Sequence, residues 1–527
     1  MTAPTTPLIL AIGFTLLVVV LTALARRLPI PTPILQVVAG LAAGLAAGPS
    51  VPRLEPELVF LVFLPPILWS AAYGTSLRDF KANLRPIALL SVGLVLVTTV
   101  AVAVAARMLV PGLPWAVAIA LGAIVSPPDA IAAEAIITRL PVPRRVISVL
   151  AGESLVNDAS ALILYRTAVT AAATGYFSAG EAVVRFFVDA GIGILLGLFV
   201  GWLAVQALQL TRDPVAGVLI GIVAPYVAWV AGESLHVSAV LACVAGGLYV
   251  RQRFSVSVPP AMRLQSRSVW DVFTFLLNAA IFFLLGIEFG HLVESLPAGS
   301  LAAAVRVGLV VSVVAIAVRL VWVPLTVVLP HRLSAGLRRR EPTPQAKNLF
   351  LVSWTSMRGI VSLAAALGLP LAVAGGGPFP YRAEIVLVTG CVIVVTLVLQ
   401  GLTLEPLVRR LRFAPDTGIH AEEQFARSEA LRHGIERLDD LGGEPWAAPA
   451  DLERLREELR DRLRRHRDGQ SGAREAEQRL RHEVIAAQRR ELIRLRNEHA
   501  ISDAVLMALE EELDLEALRL GGKGAER

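Results

Sequence analysis

Residues 122–136 read GAIVSPPDAIAAEAI, and residues 151–166 read AGESLVNDASALILYR. Each stretch lies within an apolar run long enough to cross a bilayer, which takes about 20 residues in a helix. Each also carries carboxylates near its centre, where a charge costs about 2.5–3.5 kcal/mol on insertion scales. Charges kept at such a cost mark a functional site, so the two stretches predict a membrane protein with a polar centre.

Apolar runs of the same kind recur through the first 411 residues. A bilayer admits only helices or closed barrels, because these satisfy their own backbone groups, and runs of this length are helices. The sequence therefore predicts an all-α polytopic membrane domain over residues 1–411, with about thirteen transmembrane helices. The predicted spans are 7–25, 30–48, 57–74, 86–109, 114–138, 145–174, 182–208, 214–231, 234–250, 269–290, 300–329, 347–371 and 384–407.

The composition supports this division. Of the 527 residues, 55% are hydrophobic and 17% are charged. Residues 1–411 hold 28 Lys and Arg against 17 Asp and Glu, whereas residues 412–527 hold 21 against 26. This pattern excludes a soluble enzyme, a disordered chain and a fibrous protein. Only two cysteines are present, both within apolar runs, which excludes a disulfide scaffold.

Basic residues concentrate in alternate loops, for example at 78–85, 139–145 and 332–347. Cytoplasmic loops of membrane proteins carry such an excess. With thirteen spans, this pattern predicts that the N-terminus lies outside and that the tail, 412–527, is cytoplasmic. The positive net charge is thus explained by topology, and we predict no nucleic-acid partner.

The tail is charged, with leucines at helical spacing over 451–467. It contains no nucleotide-binding loop, metal-ligand cluster or nucleophile. We predict a solvated helical appendage that packs on the membrane domain or on a second copy of the chain, with regulation as one candidate role.

Two prolines, Pro127 and Pro128, interrupt the fifth span directly before Asp129. Consecutive prolines cannot continue the helical hydrogen-bond ladder. Such a break is tolerated at membrane depth only where the backbone lines a cavity or is buried in protein. We therefore expect Asp129 to lie at a substrate site.

The sixth span carries Ser154 and Asp158 four residues apart, hence on one helical face, with Asn157 beside them. Hydroxyl, amide and carboxylate oxygens suit a hard cation, and no His or Cys cluster points to a transition metal. The alternative for Asp129 and Asp158 is a structural role as hydrogen-bonding groups between helices.

Two further charges are predicted to pair. Glu153 lies in the sixth span and Arg358 in the twelfth. A buried arginine requires an acid, since breaking a buried ion pair costs several kcal/mol. The expectation is a structural Glu153–Arg358 ion pair.

Several strings resemble the NhaP/NHE-type sodium/proton antiporters, in the branch found in bacteria. These strings are SPPDAIA (126–132), GESLVNDASALILY (152–165) and MRGIVSLAAAL (357–367), supported by FLPPILW (63–69), SAVLACVAGGLYV (238–250), NAAIFFLLGIEF (278–289) and QGLTLEPLVRRL (400–411). The resemblance implies two inverted repeats, in which the fifth and twelfth helices are unwound and cross. It also implies a homodimer.

The resemblance further implies roles for individual residues. Asp158 corresponds to the ion-binding aspartate, Asn157 to the amide of the electroneutral branch, and Ser154 to a cation-ligand hydroxyl. Asp129, after Pro128, matches the acid of the Thr-Asp-Pro string. The sequence departs from that string, because Pro128 and Ala130 flank the acid, and from many relatives by Ser70, where they have an acid. Both departures remove cation ligands.

The predicted function is exchange of a monovalent cation for H⁺ by alternating access, with 1:1 electroneutral stoichiometry. The transported metal ion, Na⁺ or alternatively K⁺, would bind Asp158 and Ser154. No cofactor and no enzymatic activity are expected, and the expected location is a prokaryotic plasma membrane. From a different class, a cation channel or a sensor that acts through its tail is the alternative.

Overall fold

The structure is a computed structural model in which the chain is described in several ranges. It describes residues 6–25, 27, 30–47, 60–129, 133, 136–137, 140–176, 178–211, 213–294, 300–336, 345–373, 377–413, 417–467 and, further on, 484–485, 487–488, 490–495, 498, 505, 509, 512–513 and 516.

Within these ranges the regular structure is helical, apart from one isolated β-bridge between Ala372 and Pro378. The α5 helix contains one π-helical segment, Leu89–Leu94. The helices are α1 Thr6–Ala25, α2 Thr32–Ala47, α3 Leu64–Gly74, α4 Leu77–Ala82, α5 Leu84–Leu109, α6 Trp115–Val125, α7 Arg144–Thr174, α8 Ala179–Leu210, α9 Pro214–Ser234, α10 Ala239–Ser257, α11 Pro260–Glu294, α12 Ser300–Leu333, α13 Ala346–Trp354, α14 Ile360–Leu367, α15 Arg382–Leu411, α16 Thr417–Asp440 and α17 Pro449–Arg467.

Each predicted span contains helix, and seven of the described helices are long and apolar enough to cross a membrane unaided. The all-α polytopic fold is therefore confirmed, while the count of thirteen spans and the inverted repeats stay predictions. Two spans are interrupted, as expected. The helix of the fifth span ends at Val125, and the twelfth span is divided between α13 and α14.

Lipid-facing surface is evident on α8, where large apolar side chains such as Phe187 and Leu195 are more than 60% exposed. Exposed apolar faces of this size in a soluble protein would drive association. In a bilayer they contact lipid tails instead, so the surface is that of an integral membrane protein.

Close helix packing is provided by glycines where α2 meets α11. A Cβ atom at Gly40 would lie 2.0 Å from the Phe283 carbonyl oxygen, and one at Gly286 would lie 2.1 Å from the Val37 carbonyl oxygen. Only glycine allows the two backbones to approach this closely, which is a common arrangement between membrane helices.

The chain forms two compact units, Met1–Pro415 and Asp416–Arg527. In the second unit, α16 and α17 pack against each other, and Arg456 of α17 forms a salt bridge with Asp439 of α16. The first unit contains both interrupted spans and all the residues considered next.

Candidate functional site

The end of α6 is held by an arginine. With Pro127 and Pro128 following, the last carbonyls of this helix lack their usual N–H donors. The Arg358 side chain supplies one, because its Nε donates to the Val125 carbonyl oxygen at 3.0 Å. The guanidinium also donates to the carbonyl and hydroxyl oxygens of Ser356. A cation at this position stabilises the negative end of the helix dipole.

The two interruptions contact each other. The Asp129 backbone N–H donates to the Met357 carbonyl oxygen at 2.7 Å, which joins the non-helical segment after α6 to the one between α13 and α14. The next residue, Arg358, donates its backbone N–H to Thr396 Oγ1 at 3.1 Å. The interrupted segments are therefore fixed by direct hydrogen bonds, consistent with non-helical backbone that is buried in protein.

The Asp129 carboxylate lies at the start of α14. A Cβ atom built on Gly359, the residue before this helix, would lie 1.7 Å from Asp129 Oδ2. The N-terminus of a helix carries a partial positive charge and N–H groups without helical acceptors. Asp129 therefore offsets the positive end of α14, and the absence of a side chain at Gly359 makes room for it.

Asn157 forms a further hydrogen bond to the break in the fifth span. Its Nδ2 donates to the Pro128 carbonyl oxygen at 3.0 Å, and its Oδ1 is buried without a hydrogen-bond partner. The sequence places Asn157 among the ion ligands. In the structure its amide N–H is committed to the break, and Asn157 does not line the cavity beside Asp158.

Asp158 lies at a cavity of about 50 Å³. Its side chain is only 8% exposed, and it makes no hydrogen bond or salt bridge with any described residue. A buried carboxylate without a partner is unstable as a bare anion, so it requires a proton or a cation. The cavity is also lined by Pro128, Asp129 and Ser154, which are the expected neighbours of Asp158, and by Ser362.

A second cavity of about 30 Å³ shares Pro128, Asp129 and Ser154 with the first. Its wall includes the buried pair Glu153 and Arg319. It also includes Ile137, near the end of the fifth span, and Ile147, near the start of the sixth. The segment around Pro128 and Ser154 therefore lies between two small cavities.

The predicted Glu153–Arg358 ion pair is wrong. Glu153 instead pairs with Arg319 of α12, with Arg319 Nη2 2.8 Å from Glu153 Oε2 and a second, shorter contact between Nη1 and Oε1. Arg319 Nε further donates to the Val352 carbonyl oxygen at 3.1 Å, and both side chains are 1% exposed. The physical reason is that Arg358 is needed at the end of α6, while Arg319 faces α7.

Arg319 and Ser362 are the residues that sequence reasoning missed. The sequence signal for Arg319 is an arginine far from either end of the eleventh span, and the signal for Ser362 is a hydroxyl in the half-helix after the break. Among the described residues no group of three or more His, Cys, Asp or Glu side chains is arranged to hold a metal ion. The oxygen atoms at the first cavity suit a hard monovalent cation instead.

Comparison with known proteins gives consistent results. Residues 13–410 match the family model described as sodium/hydrogen exchanger, transmembrane. An uncharacterized Na⁺/H⁺ exchanger of Mycobacterium tuberculosis is 34% identical, over 97% of this chain and 96% of the relative. A sodium, potassium, lithium and rubidium/H⁺ antiporter of Bacillus pumilus is 30% identical, over 93% of this chain and 74% of the relative.

The fold is also found in a solved structure. The sodium proton antiporter MjNhaP1 from Methanocaldococcus jannaschii matches with a TM-score of 0.57 and 19% identity, over 77% of this chain and 99% of that chain. Together with the family match, this confirms the predicted resemblance, the transporter fold and exchange of a monovalent cation for a proton. The chain belongs to the transmembrane sodium/hydrogen exchanger family.

Proposed function

We propose that Asp158 is the carrier of this exchanger and binds either a proton or a cation, never both. The observation that carries the proposal is the burial of Asp158 beside a cavity without a protein partner among the described residues. An ionised carboxylate in such a place is strongly disfavoured, so the bare anion does not cross between the two sides. Either ligand removes the charge penalty and permits the transition.

The second carboxylate of the cavity has a different role. Asp129 lies against Gly359 at the positive end of α14, where its negative charge is offset by the partial positive charge of the helix N-terminus. Asn157 is neutral and is committed to the Pro128 carbonyl. One carboxylate therefore remains to exchange charge, and one proton crosses for one monovalent cation. The exchange is electroneutral.

The transported cation binds through Asp158 and Ser154, and Na⁺ is the first candidate. The Bacillus pumilus relative is named for transport of sodium, potassium, lithium and rubidium, so K⁺ and Li⁺ are the alternatives to test. The Ser154 hydroxyl lines both cavities and makes no hydrogen bond with the described residues, which leaves its oxygen available as a ligand.

Alternating access exposes the site first to one side and then to the other. The two cavities that meet at Pro128, Asp129 and Ser154 are the openings whose relative size changes. The protein works as a homodimer in the plasma membrane and contributes to pH homeostasis. Its N-terminus is outside, and residues 412–527 form a cytoplasmic tail with a regulatory role.

The test is exchange in proteoliposomes that contain a pH-sensitive dye and an internal acid load. Addition of Na⁺, K⁺ or Li⁺ to the outside of wild-type vesicles should raise the internal pH, at a rate independent of an imposed membrane potential. D158N should lose exchange by at least about 100-fold, the size expected when the only carrier is removed. D271N, which alters an exposed acid of α11, is the matched control and should keep the wild-type rate.

Exchange by purified D158N at the wild-type rate would remove Asp158 as the carrier. A rate that follows the membrane potential would instead contradict the 1:1 stoichiometry. A wild-type protein that exchanges no cation for H⁺ would contradict the proposed function as a whole.

A further inference from the structure

Hydroxyl groups in the described helices mostly bond to their own helix. Thr99 donates to the Val95 carbonyl, Ser312 to the Gly308 carbonyl and Ser353 to the Leu349 carbonyl, each four residues earlier. This back-bonding is the usual way for Ser and Thr to satisfy the hydroxyl inside a membrane helix. A buried serine that does not bond in this way needs another partner.

Ser362 is such a residue. It lies in the first turn of α14 and is 2% exposed, but its hydroxyl makes no hydrogen bond with any described residue. Back-bonding of the Ser362 hydroxyl would need the carbonyl of the residue four positions earlier, Arg358. Arg358 precedes α14, so its carbonyl is not part of the helix. Ser362 instead lines the cavity that contains Asp158 and Ser154.

The side chains that bring oxygen atoms to this cavity are four. Asp129, Ser154, Asp158 and Ser362 belong to the break after α6, to α7 and to α14. The lining residues from α3 and α11 are apolar: Leu64, Ile67, Leu68 and Ala71 of α3, with Ile281 of α11. A cavity of about 50 Å³ has room for about three waters. A cation in it would therefore have few protein ligands, and each one would contribute strongly.

The N-terminus of α14 faces the same cavity with its partial positive charge, which by itself disfavours a cation. The Asp129 carboxylate at Gly359 offsets that charge. The hydroxyl of Ser362 can then present its lone pairs to a cation without repulsion from the helix end.

We propose that the Ser362 hydroxyl is a ligand of the transported cation and sets the affinity and the choice among monovalent cations. This inference rests on the proposed function, in which Asp158 is the carrier. A proton on Asp158 needs no ligand from α14, whereas a cation uses each oxygen within reach. Loss of the hydroxyl therefore weakens cation binding and leaves proton binding unchanged.

The test compares S362A, S362T and wild type in the vesicle exchange assay, with Na⁺, K⁺ and Li⁺ at several pH values. S362A should raise KM for the preferred cation about tenfold, which is the loss of affinity expected when one ligand of a charged group is removed. The value of kcat should stay within about twofold of wild type. The rise should be the same factor at every pH, because proton competition is unaltered. S362T keeps the hydroxyl and should restore KM.

The matched control is S353A, a buried serine in the other half of the same span whose hydroxyl bonds to Leu349. It should leave KM unchanged. An S362A protein with wild-type KM and cation preference would overturn the proposal, even if D158N is inactive as expected. A fall in kcat alone, or a shifted pH dependence, would assign Ser362 a structural role instead. Absence of exchange in the wild type would count against the proposed function rather than against Ser362.

Discussion

Two buried carboxylates on α7 have opposite surroundings. Glu153 forms a two-point ion pair with Arg319, whereas Asp158 lies at a cavity and has no hydrogen-bond or ion-pair partner among the described residues. Both were costly to place in a membrane. The comparison teaches that burial of a charge does not by itself mark a transport site. A carboxylate with a fixed ion-pair partner has a structural role. A carboxylate that lies at a cavity without such a partner is available to bind a proton or a cation.

The largest expected effect tests this difference through stability. E153Q leaves the Arg319 charge buried without its acid, so we expect a loss of about 3–5 kcal/mol in the free energy of unfolding. D158N replaces an unpaired buried acid by a neutral group, so its stability should equal or exceed that of wild type. Thermal unfolding of both purified variants in one detergent measures the difference.

The control for E153Q is the double variant E153L/R319M, which removes both charges and fills the space with apolar side chains. It should recover most of the lost stability, because neither charge is then left alone. Equal destabilisation by E153Q and D158N would contradict the distinction between the two carboxylates.

A smaller effect is expected at the contact between the two interruptions. In G359A the added methyl group would overlap the Asp129 carboxylate, which would have to leave the start of α14. We expect exchange to fall by at least about tenfold, equivalent to the loss of a favourable charge–dipole interaction together with steric strain. The rate of Na⁺-dependent pH change in vesicles measures it.

G13A provides the comparison, because a Cβ atom at Gly13 of α1 would meet no other atom within 4 Å. This variant should exchange as wild type does. A G359A protein with the wild-type rate would show that the position of Asp129 against α14 is not needed.

A third substitution addresses Asn157. N157A removes the hydrogen bond to the Pro128 carbonyl oxygen, which should cost about 1–2 kcal/mol of stability and lower the exchange rate severalfold. N157D has the same shape but no N–H donor when ionised, so it should lose as much stability as N157A. Should N157D keep full stability and gain dependence on membrane potential, Asn157 would be part of the ion site instead.

The smallest effect is expected for an ion pair in water. R456Q breaks the exposed salt bridges of α17 with Asp439 and Glu453. Such pairs contribute little because solvent and salt screen them. Thermal unfolding and exchange should both match wild type. A marked loss of exchange in R456Q would indicate that the tail surface around α17 acts on transport.

Much of the site was predictable because the decisive signals are local. The prolines at 127 and 128 predict the interruption through their missing N–H groups, and the four-residue spacing of Ser154 and Asp158 predicts that both face one cavity. The strings shared with exchangers then identify the family.

The errors arose where long-range neighbours decide. The partner of Glu153 depends on which helix faces α7, and helical periodicity does not carry that information, so the predicted partner, Arg358, differs from the observed one, Arg319. The direction of the Asn157 amide and the exposure of Ser362 to the cavity likewise depend on how the breaks fold against each other. The sequence shows which polar residues lie within the membrane spans, but it does not show which of them contact each other.

Competition between a proton and a cation for Asp158 is tested most directly by proton release on cation binding, measured with the purified protein in weakly buffered solution. Below the pH at which Asp158 loses its proton, addition of the transported cation should release about one proton for each cation bound, since both compete for one carboxylate. D158N should bind no cation and release no proton. Cation binding without proton release in the wild type, or undiminished release in D158N, would contradict the account.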